Sequence, residues 1–139
     1  MDQRPHMHHL SELRFLVVDD FATMRRIVSG LLHEIGATHI SEAENGRHAL
    51  RILAGGHIDF ILTDWNMPEM NGLELLKAVR ATDALKDLPV LMVTSESLTD
   101  NIVQAAKAGA SGYVVKPFTA KILQDKVAAI WAKHKVAHP

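Results

Sequence analysis

The sequence has no cysteine, which excludes a disulfide framework and any cysteine-ligated zinc site. That absence is compatible with a reducing compartment, and a cytoplasmic location is expected. Long apolar runs are missing too. None approaches the roughly 20 residues that span a bilayer, and the leading MDQRPHMHHL lacks the apolar stretch of a signal peptide. Neither sign of charge is in excess: 15 Lys and Arg stand against 16 Asp and Glu, for a formal net charge of −1. Broad attraction to nucleic acid or to a membrane surface is therefore not expected, and any charge argument must be local.

What is present suits one compact domain. The chain has 139 residues, of which 47% are hydrophobic and 22% charged, a globular balance. Residues 1–12 are polar, carry His6, His8 and His9, and read as a flexible tail; isolated histidines on a mobile segment make poor ligand cages. Residues 13–134 read as the domain and 135–139 as a short C-terminal tail. There is no internal repeat or linker, so no second, output-type domain is expected.

Short apolar runs alternate with amphipathic stretches. The runs are Phe15–Val18, His39–Ile40 with its neighbours, Phe60–Thr63, Val90–Val93 and Gly112–Val115. Three are continuously apolar, which suits strands buried on both faces. Between them, Met24, Ile27, Val28, Leu31, Leu32 and Ile35 share one helical face, stopped by Gly36. Further helices are predicted over Gly46–Leu53, from Gly72 through Leu73, Leu76 and Val79, from Leu98 to Ala108, and from Thr119 through Leu123, Val127, Ile130 and Trp131. Strict strand–helix alternation implies parallel pairing with right-handed crossovers, hence a doubly wound α/β sandwich.

The apolar runs end in chemistry. Phe15–Val18 is followed by Asp19-Asp20, Phe60–Thr63 by Asp64, Val90–Val93 by Thr94-Ser95, and Tyr113–Val115 by Lys116-Pro117. In an open parallel sheet these carboxyl ends share one edge, where ligands bind. Three clustered carboxylates repel one another and raise their pKa values. A hard divalent cation such as Mg²⁺, taking a few carboxylate oxygens and a phosphate oxygen, removes that difficulty. A carboxylate can act as a nucleophile toward phosphorus. An ammonium and a hydroxyl can then stabilise the transferred group.

Each residue also has an ordinary reading. Asp20 could cap the first helix, Asp64 could be a turn residue, Thr94 could cap a helix, Lys116 could be a solvated loop lysine, and Tyr113 a partly buried core ring. Their joint occurrence at four strand ends favours phosphoryl transfer onto a carboxylate. An Asp-nucleophile phosphohydrolase would want an acid two residues after the nucleophile, where Asn66 stands. A flavin-phosphate binder would want a Gly/Ser/Thr loop where Asp19-Asp20 stands.

Four motifs, LVVDDFATMRRIV (16–28), DWNMPEMNGLELL (64–76), LPVLMVTSE (88–96) and AGASGYVVKPF (108–118), resemble the receiver domains of two-component response regulators, those of chemotaxis in particular. The likeness covers Arg14 to about Lys133. It implies a five-stranded parallel sheet of order 2-1-3-4-5 in a flavodoxin-like three-layer sandwich. Asp64 would be the phosphoacceptor. One Mg²⁺ ion would be bound by the side chains of Asp20 and Asp64 and the main-chain carbonyl of Asn66, with Asp19 acting largely through metal-bound water. Lys116 would contact the phosphoryl group, Thr94 would move toward it, and Tyr113 would turn inward. The Lys116–Pro117 bond would be cis. Asn66 and Glu96 would tune self-dephosphorylation.

The resemblance further implies a protein that catalyses only its own phosphorylation and dephosphorylation. Its output face would combine Ile102 and Ala106 of the fourth helix, Tyr113 and Val115 of the fifth strand, and Lys126 of the fifth helix. A chemotaxis histidine kinase would lie upstream and the flagellar motor switch downstream, with a phosphatase as a further partner and a monomer as the resting state. A shuttle or phosphate sink serving a pathway other than motility would carry the same site. Three departures from the family pattern stand out: the His-containing leader, Ser95 where alanine is common, and Asn71-Gly72 where Asp-Gly is common, read here as a turn outside the site.

Overall fold

The structure, a computed structural model, describes residues 10–95 and 99–139. Among them, five strands alternate with five helices: β1 (Arg14–Val18), α1 (Ala22–Glu34), β2 (His39–Ala43), α2 (Gly46–Leu53), β3 (Phe60–Thr63), α3 (Gly72–Ala81), β4 (Val90–Thr94), α4 (Thr99–Lys107), β5 (Gly112–Val115) and α5 (Ala120–Ala137). The strands form one parallel sheet in the order β2-β1-β3-β4-β5, parallel as the strand–helix alternation predicts and in the order the resemblance implies.

Alternation along the buried strands builds two cores. Phe15, Val17, Phe60, Leu62, Leu91 and Val93 point to one face, against Val28 and Leu32 of α1 and Leu123, Val127 and Ile130 of α5. Leu16, Val18, Ile61, Val90 and Met92 point to the other, against Ala49 and Leu53 of α2, Leu75, Leu76 and Val79 of α3, and Ala105 of α4. A strand buried on both faces has no polar side to show, which is why these runs are unbroken. Truncating one of the fully buried leucines to alanine would cost about 2–5 kcal/mol.

Chain order and spatial order part company between β1 and β3. From β1 the chain steps outward to β2, then returns to the far side of β1 to form β3. The carboxyl ends of β1 and β3 therefore flank the crevice of the doubly wound sheet.

Two boundaries need correction. Leu10 is 2% exposed and packs in the first core, and the carbonyl of Ser11 accepts the Thr38 hydroxyl at 2.7 Å. The ordered fold thus begins before residue 13: a single apolar residue in a polar stretch gives no periodic signal, yet it fills a core site. At the other end α5 continues through Ala137, so residues 135–137 are helical and not a tail.

Candidate functional site

Backbone rungs at adjacent strand ends set the site. The Asp19 N–H donates to the Ala43 carbonyl at 3.1 Å, the Asp64 N–H to Val18 at 2.9 Å, and the Lys116 N–H to Thr94 at 2.8 Å. Each side chain thereby starts from a sheet position, a more rigid support than a free loop. One oxygen from each of Asp19, Asp20 and Asp64 lies within 4.8 Å of the others. The Lys116 ammonium sits 3.3 Å from Asp64 Oδ1 and 3.4 Å from Asp19 Oδ2. The Lys116–Pro117 peptide is cis, as expected.

Burial is graded across the group. Asp19 is buried, Asp64 partly buried and Asp20 exposed. The Asp64 pKa is raised: desolvation dominates, Lys116 counteracts it, and the Asp19 charge adds to it. Asp19 is held by a hydrogen bond from the Phe21 N–H to its Oδ1 at 2.9 Å. Arg25 grips the Asp19 carbonyl at 2.7 Å and pairs with Glu42 at 3.1 Å, joining α1 and β2 to the end of β1.

The structure bears on two of the ordinary readings, those of Asp20 and Lys116. Phe21, not Asp20, occupies the position before α1, and no side chain caps it. Thr94 ends β4 and is fully buried. Lys116 is not a solvated lysine, with a side-chain exposure of 16%. Asn66 is exposed and lines a cavity of about 360 Å³ together with Asp20, Met67, Pro68 and Asn71. Glu96 lies outside the described residues.

In the β4–β5 register Val115 faces Thr94 and Tyr113 faces Met92, so Thr94 and Tyr113 lie on one face of neighbouring strands. Ile102 and Ala106, four residues apart on α4, are exposed; Tyr113 and Val115 are half-buried and Lys126 is exposed. Val103 and Ile122, which the sequence reading passed over, are also exposed apolar residues of α4 and α5.

Asn71-Gly72 does reach the site, contrary to its reading as a remote turn. A Cβ at Gly72 would collide with the Asp64 carbonyl oxygen and crowd Met92. Only glycine lets the start of α3 pack against the backbone of Asp64. The Gly72 N–H also donates to the Trp65 carbonyl at 2.8 Å. Asn71 and Glu74 close a reciprocal capping box over the same turn, at 2.8 and 3.0 Å. The dipeptide could be seen in the sequence; the contact of Gly72 with Asp64, eight residues away, could not.

Three hard carboxylates converging on one edge, with one ammonium only partly offsetting them, fit an oxygen-liganded Mg²⁺ in donor type and charge. Among the described residues no other group of three or more such donors meets.

Residues 15–128 match the response regulator receiver domain. The chain is 54% identical to the chemotaxis protein CheY of Pseudomonas aeruginosa over 121 residues, 87% of this chain and 98% of that protein. It is 50% identical to the chemotaxis protein CheY-3 of Vibrio cholerae, over 87% of this chain and 93% of that one. Among solved structures, the chemotaxis protein CheY4 of Vibrio cholerae superimposes with a TM-score of 0.79 at 35% identity, covering 85% of this chain and 98% of that chain.

Proposed function

This chain belongs to the response regulator receiver domain family and is closely related to chemotaxis response regulators; from that premise we propose that Asp64 accepts a phosphoryl group and that the phosphorylated form signals by binding a target. The observation that supports this most is the convergence of Asp19, Asp20, Asp64 and Lys116 at the crevice between β1 and β3.

In the proposed reaction an Asp64 carboxylate oxygen attacks the phosphorus of a phosphohistidine on a chemotaxis-type histidine kinase, or of acetyl phosphate. A P–O bond forms as the bond to the leaving group breaks, the P–N bond of the phosphohistidine or, in acetyl phosphate, the P–O bond that releases acetate. The imidazole nitrogen keeps the electron pair and takes up a proton from solvent. Burial holds the Asp64 oxygens in a poorly hydrated pocket, and Lys116 keeps them aligned and charged. Asp20, Asp64 and the Asn66 carbonyl would hold one Mg²⁺ ion, with Asp19 acting largely through metal-bound water, and the ion would supply positive charge for the phosphoryl oxygens. Thr94 then hydrogen-bonds the phosphoryl group, and Tyr113 turns inward behind it.

The output surface is the α4-β5-α5 face, with Ile102, Ala106, Tyr113, Val115 and Lys126 as contacts and the flagellar motor switch as target. Asn66 and Glu96 flank the path of the hydrolytic water, and a phosphatase shortens the signal further. The protein works as a cytoplasmic monomer.

The test is labelling with acetyl phosphate and Mg²⁺. We expect one acid-stable, base-labile phosphoryl group on Asp64, none in Asp64→Ala, and a Mg²⁺-dependent change in Trp65 fluorescence recorded in a Trp131→Phe background. Labelling that persists in Asp64→Ala would refute the assignment. Pull-down of motor switch protein with and without beryllofluoride tests the target, and equal capture in both states would remove it.

A further inference from the structure

At the amino edge of the sheet, opposite the carboxylates, lies a cavity of about 320 Å³ between the end of α3, the α3–β4 and α4–β5 connections, and the last turns of α5. Arg80, Lys86 and Lys133 line it as permanent cations, with His134, His138 and a single carboxylate, Asp87. His138 Nε2 already lies 3.5 Å from Asp87 Oδ1. The cavity is net positive in a chain whose overall charge is −1.

Arg80 is fixed at its wall. Its Nε donates to the Gly109 carbonyl at 2.9 Å, and its Nη1 to the Lys86 and Leu88 carbonyls at 3.0 and 2.6 Å. Nη2 makes only a long contact with the Ser111 hydroxyl, at 3.4 Å. All these acceptors are neutral, so the guanidinium is held rigidly while its charge has no contacting counter-ion among the described residues. Burial lowers the Arg80 pKa, and only Asp87 opposes that. The same field reaches His134: its pKa is lowered first by burial, then by His138 and Arg80, with Asp87 and Asp59 opposing.

We propose that this cavity is a binding site for a small phosphate-bearing anion, taken up between the Nη2 end of the Arg80 guanidinium and the Lys86 and Lys133 ammonium groups. Arg80 Nη2, with one N–H unengaged and the other in a 3.4 Å contact, suits a phosphate oxygen, and two flanking lysines add charge without demanding geometry. Ligand pockets commonly begin at about 300 Å³, which admits a diphosphate. The His134 imidazole gains a second N–H donor when a bound dianion favours its charged form. The carboxylates at the opposite edge disfavour the same ligand when no Mg²⁺ is present.

Inorganic pyrophosphate is the probe, added at low salt with EDTA and followed by NMR of the His134 and His138 ring resonances. We expect saturable shifts with a Kd of about 1 mM or tighter, a higher His134 titration midpoint in the bound state, and the same behaviour in Asp64→Asn. Lys86→Ala/Lys133→Ala, both exposed positions that spare the Arg80 clamp, should weaken binding roughly tenfold. Citrate, a carboxylate polyanion, should bind more weakly than pyrophosphate. Absence of saturation at about 10 mM, unchanged affinity in the double variant, or equal binding of citrate would each overturn the proposal.

Discussion

The Lys116 ammonium lies 3.3 Å from an Asp64 oxygen while also standing 3.4 Å from Asp19. One compact cation is shared by two carboxylates from different strand ends. A guanidinium at this position would spread its charge over a planar fork and displace the shared contact. Lys116→Arg should therefore still accept phosphoryl from acetyl phosphate, while phosphorylation-dependent target binding falls roughly tenfold or more. Paired labelling and pull-down assays check this, and undiminished binding would take Lys116 out of the switch.

Asp64 is protonated more readily in the folded chain than in the unfolded one, because burial and Asp19 together outweigh Lys116. Between the ordinary carboxylate value near 3.9 and the raised folded one, the native state binds more protons, so this group's contribution to stability falls as pH rises. Its penalty is fully present above the folded pKa. In EDTA, Asp64→Asn should melt a few degrees above wild type at neutral pH, at roughly 3–5 °C per kcal/mol for a chain of this size. The gap should close as pH drops toward about 4. Thermal melts from pH 4 to 8 read it directly, and a gap that widens on acidification would contradict the sign.

Adding Mg²⁺ should relieve the same repulsion. At a hundredfold excess over its Kd, a ligand bound only by the native state adds about 2.7 kcal/mol. Asp20 is exposed, so Asp20→Ala should leave Mg²⁺-free stability nearly intact while removing at least half of the gain from Mg²⁺. Urea denaturation with and without the ion distinguishes this from a merely structural role for Asp20.

Gly72→Ala tests the backbone contact at the start of α3. A methyl group there collides with the Asp64 carbonyl, and overpacking of this kind costs about 1–3 kcal/mol. The displaced Asp64 should also label more slowly. Normal stability together with a normal labelling rate would show that the turn yields freely.

Much of this could be read in advance because strand-end chemistry is local in sequence. Asp19-Asp20, Asp64, Thr94 and Lys116 each follow an apolar run, and a parallel sheet brings such ends together. β2 was the faintest element: its exposure leaves only Ile40 half-buried and Ala43 buried, so little apolar pattern marks an edge strand. The role of Gly72 was hidden because it depends on the path of the chain between Asp64 and α3. The cationic cavity was hidden for a related reason. Arg80, Lys86 and the adjacent Lys133 and His134 come from three segments without a shared motif, and only the folded connections bring them to one wall.

Leu10 bears on where a working fragment can start. The family match opens at residue 15, yet this leucine is already part of the interior. A gene trimmed to that match would delete a plug from beneath the first sheet face, a loss of about 2–5 kcal/mol. Expression variants should therefore keep the chain from at least residue 10, or a weakened scaffold will be mistaken for a weakened signal.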